Sequence, residues 1–355
     1  MVDKDKLQSK IVVNATALDQ SGALSILKQF FENIPNDGKE WLIFISEKIE
    51  FKSPVPNVIL KPIPNVKSLV RRFIWDWYGL NKWLRTNQIK PLATISLQNT
   101  NFRVSEKNIP RFIYYHQSIP FYKNRWCPLK KSERTLWFYK YVYPFFVSLF
   151  LRKDDYIFVQ LDFIKRGFIR KFSHPGKNIG VFSPSINSVA ISNSNVFLDK
   201  SKMNLFFPAT LFPYKNHELL VKALKEVDNP NIQLYFTVTK KFNDDRIKSL
   251  GILPYKDICN IYENCDALVF PSFIETFGLP LIEAATMGLP IITVDLPYAR
   301  EVLNNYEGAI FLPYDKPEEW AIAINKLVKE KRYTPLDTSK REGWTELFKK
   351  INDKL

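Results

Sequence analysis

The chain has 355 residues, of which 46% are hydrophobic and 15% aromatic, with 11 glycines and 23 prolines. This composition supports two buried cores and excludes a disordered, collagen-like or linker-like chain. The three cysteines form no Cys-x-x-Cys pair, which excludes a disulfide framework and fits a reducing compartment. Neither a signal-peptide core nor an uncharged apolar run of about 20 residues is recognisable, so we expect no spanning helix.

The net charge of +15 is concentrated in one half of the chain. Residues 1–180 contain 30 lysines and arginines against 14 aspartates and glutamates, whereas residues 181–355 contain 21 against 22. This asymmetry favours an anionic partner for the first half: lipid headgroups, nucleic acid or a phosphorylated acceptor. A general bias towards solubility is the alternative.

Short apolar runs alternate with helical patterns along the whole chain. Such a pattern predicts parallel sheets that are buried on both faces. The predicted strands are Ile11–Ala17, Trp41–Ser46, Val58–Ile63, Leu92–Leu97, Phe112–His116, Tyr156–Gln160, Asn204–Pro208, Gln233–Val238, Ala267–Phe270, Ile291–Val294 and Ala309–Leu312. We therefore expect two Rossmann-like α/β domains.

The predicted boundaries place the first domain at residues 1–182 and the second at 203–335. Residues 183–202 include a polar stretch rich in Ser and Asn and are assigned as the linker. Residues 336–355 are assigned to a last helix, where Ser339 and Glu342 have the spacing of a capping box.

Two features of the first domain lie at strand ends. Gly22 belongs to the segment Ser21-Gly22-Ala23, which follows the first strand and opens a helix. His116 comes at the carboxyl end of a later strand, the edge at which open α/β sheets bind ligands. Gln160 ends another strand and is expected at the same edge. A purely structural role for His116 is the alternative.

Two helical segments of the first domain are rich in aromatic residues. In Val66–Arg85, the residues Phe73, Trp77, Leu80 and Leu84 form one apolar stripe beside several basic side chains, as in helices that lie at a membrane interface. Thr135–Leu151 is aromatic almost throughout but is interrupted by a lysine and a proline. Both docking among lipid headgroups and ordinary burial in the core remain open for it.

In the second domain, a strand, a loop and a helix follow one another in FPATLFPYKNHELLVKAL, residues 207–224. Asn216 is the predicted cap of that helix. Thr210 and Lys215 lie in the loop. Lys215 is a candidate for binding an anion, and a solvated surface lysine is the alternative.

The strongest signal is ALVFPSFIETFGLPLIE, residues 267–283. A strand ends at Phe270, and Pro280 is predicted at the first helical position. The backbone amides before that helix form a ready site for phosphate. Glu275 and Glu283 flank this corner, where their suitable partners are the hydroxyl groups of a sugar and a ribose.

The Glu-x7-Glu pair in ETFGLPLIEAATMGLPII, residues 275–292, closely resembles the signature of retaining glycosyltransferases of the GT-B fold, family four, also called group 1. The resemblance covers most of residues 203–330. It implies a GT-B architecture, in which two Rossmann-like domains face each other across a cleft. It also implies that the last helix crosses back to the first domain.

The resemblance further implies roles for single residues. Glu275 would lie near the hydroxyls of the donor sugar, Glu283 on the ribose, and Gly22 against the donor. His116 would lie near the reacting sugar, where it would donate to the donor sugar or orient the acceptor. The diphosphate and sugar would be held by the amides of Thr276, Phe277, Gly278 and Leu279. Lys215 matches the family's diphosphate-binding lysine, whereas Thr210 stands where relatives usually have an arginine.

These observations together predict a metal-independent glycosyltransferase without a cofactor, which uses a nucleotide sugar as co-substrate. The charge of the first domain favours a lipid-linked glycan acceptor in O-antigen or capsule assembly, and a cytoplasmic protein bound peripherally to the inner membrane face. We expect no nucleic-acid partner. The alternatives are a sugar phosphorylase or nucleotide-sugar epimerase of the same fold and, less favoured, a basic nucleic-acid-binding protein.

Overall fold

A computed structural model describes residues 8–19, 21–49, 55–64, 68–185 and 196–355. The chain forms two compact units: Met1–Ser185 together with Arg341–Leu355, and Ile186–Lys340. The first unit is therefore built from two separate stretches of chain. Of the predicted linker at 183–202, residues 186–195 lie outside the described residues.

Each unit contains one parallel sheet. The strands are β1 Gln8–Ala15, β2 Trp41–Ser46, β3 Val58–Ile63, β4 Ile89–Ser96, β5 Arg111–Tyr114, β6 Tyr156–Val159, β7 Ile179–Val181, β8 Met203–Phe207, β9 Ile232–Phe236, β10 Ile247–Ser249, β11 Ala267–Phe270, β12 Ile291–Val294 and β13 Ala309–Leu312. Their order is β3-β2-β1-β4-β5-β6-β7 in the first unit and β10-β9-β8-β11-β12-β13 in the second. The predicted two Rossmann-like sheets are confirmed.

Helices connect these strands. They are α1 Ser21–Glu32, α2 Leu69–Ile74, α3 Leu80–Thr86, α4 Arg134–Trp137, α5 Tyr143–Phe150, α6 Asp162–Phe172, α7 His217–Lys225, α8 Tyr255–Asn264, α9 Leu279–Thr286, α10 Pro297–Val302, α11 Pro317–Asn325 and α12 Trp344–Asn352. All eleven predicted strands overlap observed ones. The short strands β7 and β10 were not predicted, because three residues are too few to form a recognisable apolar run.

The two aromatic segments each contain a π-helical turn that the 3.6-residue period did not predict. Trp75–Gly79 joins α2 to α3, and Phe138–Val142 joins α4 to α5. A π turn adds a residue to the helical repeat and thereby rotates the face that follows it. Leu80 and Leu84 are buried in the core as a result, whereas Trp77 of the predicted stripe is 41% exposed.

Helix α12 packs in the core of the first unit. Phe348 contacts the rings of Phe30 and Trp41, with centroids 5.2 Å and 5.6 Å apart. The indole Nε1 of Trp344 donates to Gln29 Oε1 over 2.9 Å. The predicted capping box at Ser339 and Glu342 is wrong, because the helix starts later.

The observed start of α12 uses a different acidic residue. Glu346 accepts a hydrogen bond from the Gly343 amide over 2.8 Å, so the side chain that satisfies the helix start lies four residues beyond the predicted Glu342. Residues 339–342 are all polar or charged, whereas apolar residues follow Gly343. Those apolar residues decide where the helix can pack.

Removing the Phe348 ring tests the contribution of α12 to stability. Phe348→Ala should lower the free energy of unfolding by about 3–5 kcal/mol, since it leaves a cavity among three aromatic rings. Urea denaturation followed by tryptophan fluorescence measures this loss. Lys350→Ala, an exposed change on the same helix, should stay within about 0.5 kcal/mol of the wild type. Equal unfolding midpoints for the two variants would contradict the packing described here.

Candidate functional site

The sheet of the second unit has its switch point between β8 and β11. Strands β9 and β10 lie on one side of this pair, and β12 and β13 lie on the other. The loops that leave two such strands diverge and open a crevice at the carboxyl edge of the sheet. One backbone hydrogen bond links the two loops here, from the Phe273 amide to the Tyr214 carbonyl over 2.9 Å.

Lys215 and Glu275 meet at this edge. Lys215 ends the 3-10 turn after β8, and its Nζ lies 2.5 Å from Glu275 Oε1 in the loop after β11. Both side chains are about one-sixth exposed, at 16% and 15%. Nζ also lies 5.7 Å from the centroid of the Phe270 ring, which limits where the ammonium group can move. The pair thus holds a partly open positive group next to a carboxylate.

The start of α9 faces the same loop. Gly278 has φ +89°, and a Cβ added there would lie 3.1 Å from the Tyr298 ring, so only glycine fits without strain. Leu279 is the first helical residue, which corrects the predicted first position of Pro280 by one residue. The Phe277 side chain is buried, so its backbone is the part available to a ligand. Thr276 precedes these residues in the loop, half-buried.

Glu283 has partners that the sequence did not indicate. Its Oε1 accepts from the Tyr255 hydroxyl over 2.9 Å, and its Oε2 accepts from the Tyr262 hydroxyl over 3.1 Å. Burial raises the pKa of the Glu283 carboxyl, while the two phenols oppose that rise by stabilising the charge. The tyrosines lie seven residues apart on α8 and hence on one face, which is the signal that could have found them.

Two further residues of the Lys215 loop are Thr210, which lies where the sequence predicted it, and Asn216, whose predicted role as a helix cap is wrong. Thr210 is exposed, and its carbonyl accepts from the Phe212 amide over 2.9 Å. Asn216 occupies the position before α7, but its side chain does not cap the helix. Instead, the side-chain amide donates to the Tyr314 carbonyl over 2.8 Å and ties the Lys215 turn to the segment after β13.

His116 lies in the first unit, just beyond the carboxyl end of β5. Its Nε2 is 3.0 Å from the Leu97 carbonyl oxygen, and its backbone amide donates to Asn99 Oδ1 over 2.6 Å. Burial lowers the pKa of the imidazole to about 4. Because a carbonyl can only accept, Nε2 carries the hydrogen and Nδ1 of the neutral ring is an acceptor.

The remaining predicted residues of the first unit are Gly22 and Gln160. Gly22 is the second residue of α1, is exposed, and has no atom within 4 Å of an added Cβ. Nothing in the packing of the described chain therefore requires glycine there. Gln160 is buried, and its side-chain amide donates to the Tyr114 hydroxyl over 3.1 Å.

The described residues contain no group of three or more His, Cys, Asp or Glu side chains placed to hold a metal ion. Over the same parts of the chain, no helix has the length and apolar character needed to cross a bilayer.

Comparison with known sequences gives a family match for the second unit. Residues 191–346 match the model described as glycosyl transferases group 1. The O-antigen chain mannosyltransferase RfbU of Salmonella typhimurium is 23% identical over 286 residues, which make up 77% of this chain and 75% of RfbU. A D-inositol 3-phosphate glycosyltransferase of Mycobacteroides abscessus is 23% identical over 173 residues, which cover 44% of this chain and only 39% of that relative.

Solved structures match over nearly the whole chain. HepE from Anabaena, in complex with UDP and glucose, gives a TM-score of 0.63 at 14% identity and covers 97% of this chain and 98% of its own. WaaG, a glycosyltransferase involved in lipopolysaccharide biosynthesis, gives 0.63 at 12% identity, with 97% and 95% covered. These structural similarities establish the fold, and the predicted GT-B class is confirmed.

The findings support a GT-B glycosyltransferase. Within this fold, the Lys215–Glu275 pair and the start of α9 lie at the switch point of the second sheet. His116 and Gly22 belong to the other unit. The structure thus brings Lys215 and Glu275 into contact and gives Glu283 a separate, tyrosine-lined environment.

The buried carboxyl of Glu283 has a consequence for the pH dependence of stability. Since burial raises its pKa in the folded protein, its ionisation costs stability as pH rises from about 4.3, its ordinary pKa, through the raised value. Glu283→Gln removes this titration. We therefore expect the stability of the variant relative to wild type to increase with pH across that range, in urea denaturation at several pH values.

A matched control is available on the neighbouring helix. Glu263 is exposed on α8, and Glu263→Gln, a conservative surface change, should alter stability by less than about 0.5 kcal/mol. A constant difference between Glu283→Gln and wild type at every pH would contradict the buried, charge-sensitive environment of Glu283.

Proposed function

We propose that the chain transfers a sugar from a nucleotide-sugar donor to a lipid-linked glycan acceptor in cell-surface polysaccharide assembly, with retention of configuration. The observation that carries the donor half is the Lys215–Glu275 pair at the switch point of the second sheet. Glu275 lies in the loop that leads to the open start of α9. The UDP and UDP-glucose complexes of HepE and the names of RfbU and WaaG support the substrate classes.

In this proposal, the donor diphosphate binds against the amides of residues 276–279. Lys215 neutralises part of its charge, and Glu275 keeps the lysine in place until the donor arrives. Once the ammonium group turns towards the diphosphate, the Glu275 carboxylate can accept hydrogen bonds from the sugar hydroxyls. Thr210 adds one neutral hydrogen bond at most, so Lys215 and the helix start supply most of the charge stabilisation.

Glu283 has spare acceptor capacity for the ribose hydroxyls, because each carboxylate oxygen can accept two hydrogen bonds and each accepts one from a tyrosine. Catalysis is then mainly electrostatic: the fixed amides and Lys215 stabilise the leaving diphosphate while positive charge develops at the anomeric carbon. These groups require no metal ion. In the first unit, Gly22 contributes to donor binding, and His116 lies near the reacting sugar and orients the acceptor.

The acceptor half of the proposal includes peripheral binding to the inner face of the cytoplasmic membrane. Helices α2 and α5 are joined by aromatic contacts, with the Phe73 and Phe146 rings 5.9 Å apart. Both carry exposed apolar side chains, among them Ile74 at 54% and Phe145 at 64%. Together with the basic charge of the first half of the chain, these side chains suit an anionic bilayer. We propose no role for nucleic acid.

Donor binding is tested with a panel of nucleoside diphosphates and nucleotide sugars, first by thermal shift and then by transfer assays with and without EDTA. Wild type should be stabilised by one nucleotide class and keep its transfer rate in EDTA. Lys215→Ala and Glu275→Ala should each lower kcat/KM for the donor by about 10²–10³-fold, the usual loss when one group that stabilises a developing charge is removed.

The control for the donor experiment is Lys222→Ala, an exposed lysine on α7, which should leave transfer unchanged. Full transfer activity in Glu275→Ala would overturn the site. Phosphate-dependent breakdown of a glycan would instead indicate a phosphorylase, and interconversion of nucleotide sugars without an acceptor would indicate an epimerase.

Membrane binding is tested by sedimentation with vesicles of phosphatidylcholine alone or mixed with phosphatidylglycerol. Wild type should bind the anionic vesicles more tightly. Ile74→Asp and Phe145→Asp should each weaken binding about ten-fold or more, because burying one large apolar side chain contributes about 1.5–3 kcal/mol. Ile322→Asp, at a similarly exposed position on α11 of the other unit, should have no effect. Equal binding to both vesicle types at moderate salt would refute this part.

A further inference from the structure

The first sheet also has a switch point, between β1 and β4, and a buried polar network fills it. Asp76 is at its centre and is 3% exposed. Its Oδ1 accepts from the side-chain amides of Asn14, over 2.8 Å, and Gln98, over 3.0 Å. Asn14 and Gln98 are themselves buried near the carboxyl ends of the two strands. Burial raises the pKa of Asp76 to about 7 against the opposing effect of the nearby Arg72.

Two further side chains hold the backbone that follows β4. The Arg72 guanidinium donates to the Gln98 carbonyl over 2.6 Å and to Thr100 Oγ1 over 3.3 Å. The Tyr143 hydroxyl donates to the same Gln98 carbonyl over 3.1 Å. Arg72 Nε lies 3.9 Å from Asp76 Oδ2, so the carboxylate also balances the charge of the group that holds the turn. Residues 97–100 are thus fixed from helices α2 and α5.

Two residues of this turn, Leu97 and Asn99, also hold His116. Leu97 supplies the carbonyl that accepts from the His116 ring, and Asn99 supplies the side-chain oxygen that accepts from its backbone amide. Asn99 itself has φ +69°, a left-handed conformation that needs support from its surroundings. The turn at 97–100 therefore connects the Asp76 network on one side to the imidazole on the other.

The helix that carries Asp76 does not need an acidic residue for its own packing. Asp76 lies within the π turn, while its neighbours Ile74, Trp77 and Tyr78 are exposed. Burying a carboxyl group costs stability, because the charged carboxylate must leave water or become protonated, and apolar residues of similar volume often stabilise a core as well or better. A π turn and a buried carboxyl group at a switch point together point to a role in the site and not to stability.

We propose that Asp76 is a positioning residue for His116: through Gln98 and Arg72 it fixes the turn at residues 97–100, which sets the orientation and tautomer of the imidazole. This inference rests on the proposed function for the catalytic part of its test. The structural part can be measured without substrate, so that the two can fail independently.

The structural test uses histidine-selective ¹⁵N labelling, which is tractable because the chain contains three histidines. His116→Asn assigns the signal. In wild type, the His116 ring should be in the Nε2-H tautomer and should stay neutral down to about pH 5, since its pKa lies at about 4. In Asp76→Asn, the loosened turn should no longer fix the ring, so that both neutral tautomers are populated.

The kinetic test measures transfer by the same full-length variants. Asp76→Asn should lower kcat by about 10–100-fold, the loss expected when a reacting group is displaced by a fraction of an ångström to an ångström, with donor KM changed less than about three-fold. The matched control is Asp266→Asn, which alters a buried aspartate that accepts from the Asn204 and Glu330 amides over 2.7 Å and 2.8 Å. It should lower stability and leave the His116 signals and kcat as in wild type.

Tyr143→Phe provides a second variant, which keeps the ring packing and removes one hydrogen bond to Gln98. It should move the His116 signals in the same direction and lower kcat about three- to ten-fold, so the inference stays testable if Asp76→Asn does not fold. Unchanged His116 signals in a folded Asp76→Asn protein would overturn the inference. Full transfer activity in His116→Ala would instead contradict the proposed role of His116 and leave the structural result standing.

Discussion

A crevice forms at the carboxyl ends of two neighbouring parallel strands when their connections run to opposite sides of the sheet. This constraint organises both units. In the second sheet the crevice lies between β8 and β11, and in the first between β1 and β4. Backbone groups at such an edge have no further strand to pair with, so side chains and helix ends collect there. Lys215, Glu275, Asp76 and His116 all lie at or next to one of these two edges.

The two edges differ in the surroundings of their charged side chains. At the edge of the second sheet, Lys215 and Glu275 remain partly open to solvent, so each can exchange its partner for a ligand with modest loss. At the edge of the first sheet, the Asp76 carboxyl is enclosed, and both Asp76 and Arg72 are held by several hydrogen bonds. The first arrangement suits groups that bind, and the second suits groups that hold other residues in place.

The sequence predicted the sheets well because long apolar runs identify strands without knowledge of their neighbours. Lys215, Glu275 and Glu283 could be identified as candidates because they lie in continuous motifs, and the structure brings the first two into contact. It did not predict the tyrosines that accompany Glu283 or the network around Asp76, since these depend on contacts between residues far apart in the chain. The π turns were missed for a different reason: no local period in the sequence indicates the extra residue that each of them contains.

The division of the chain also bears on the order in which it folds during synthesis. The second unit is continuous, so its core can close as soon as its last strand and helix have left the ribosome. The first unit begins earlier but lacks Trp344 and Phe348 until α12 has been made, so the apolar face formed by Phe30 and Trp41 stays uncovered through the synthesis of the whole second unit. An uncovered apolar face makes a nascent chain prone to aggregation, and truncation within α12 would leave that face without its cover.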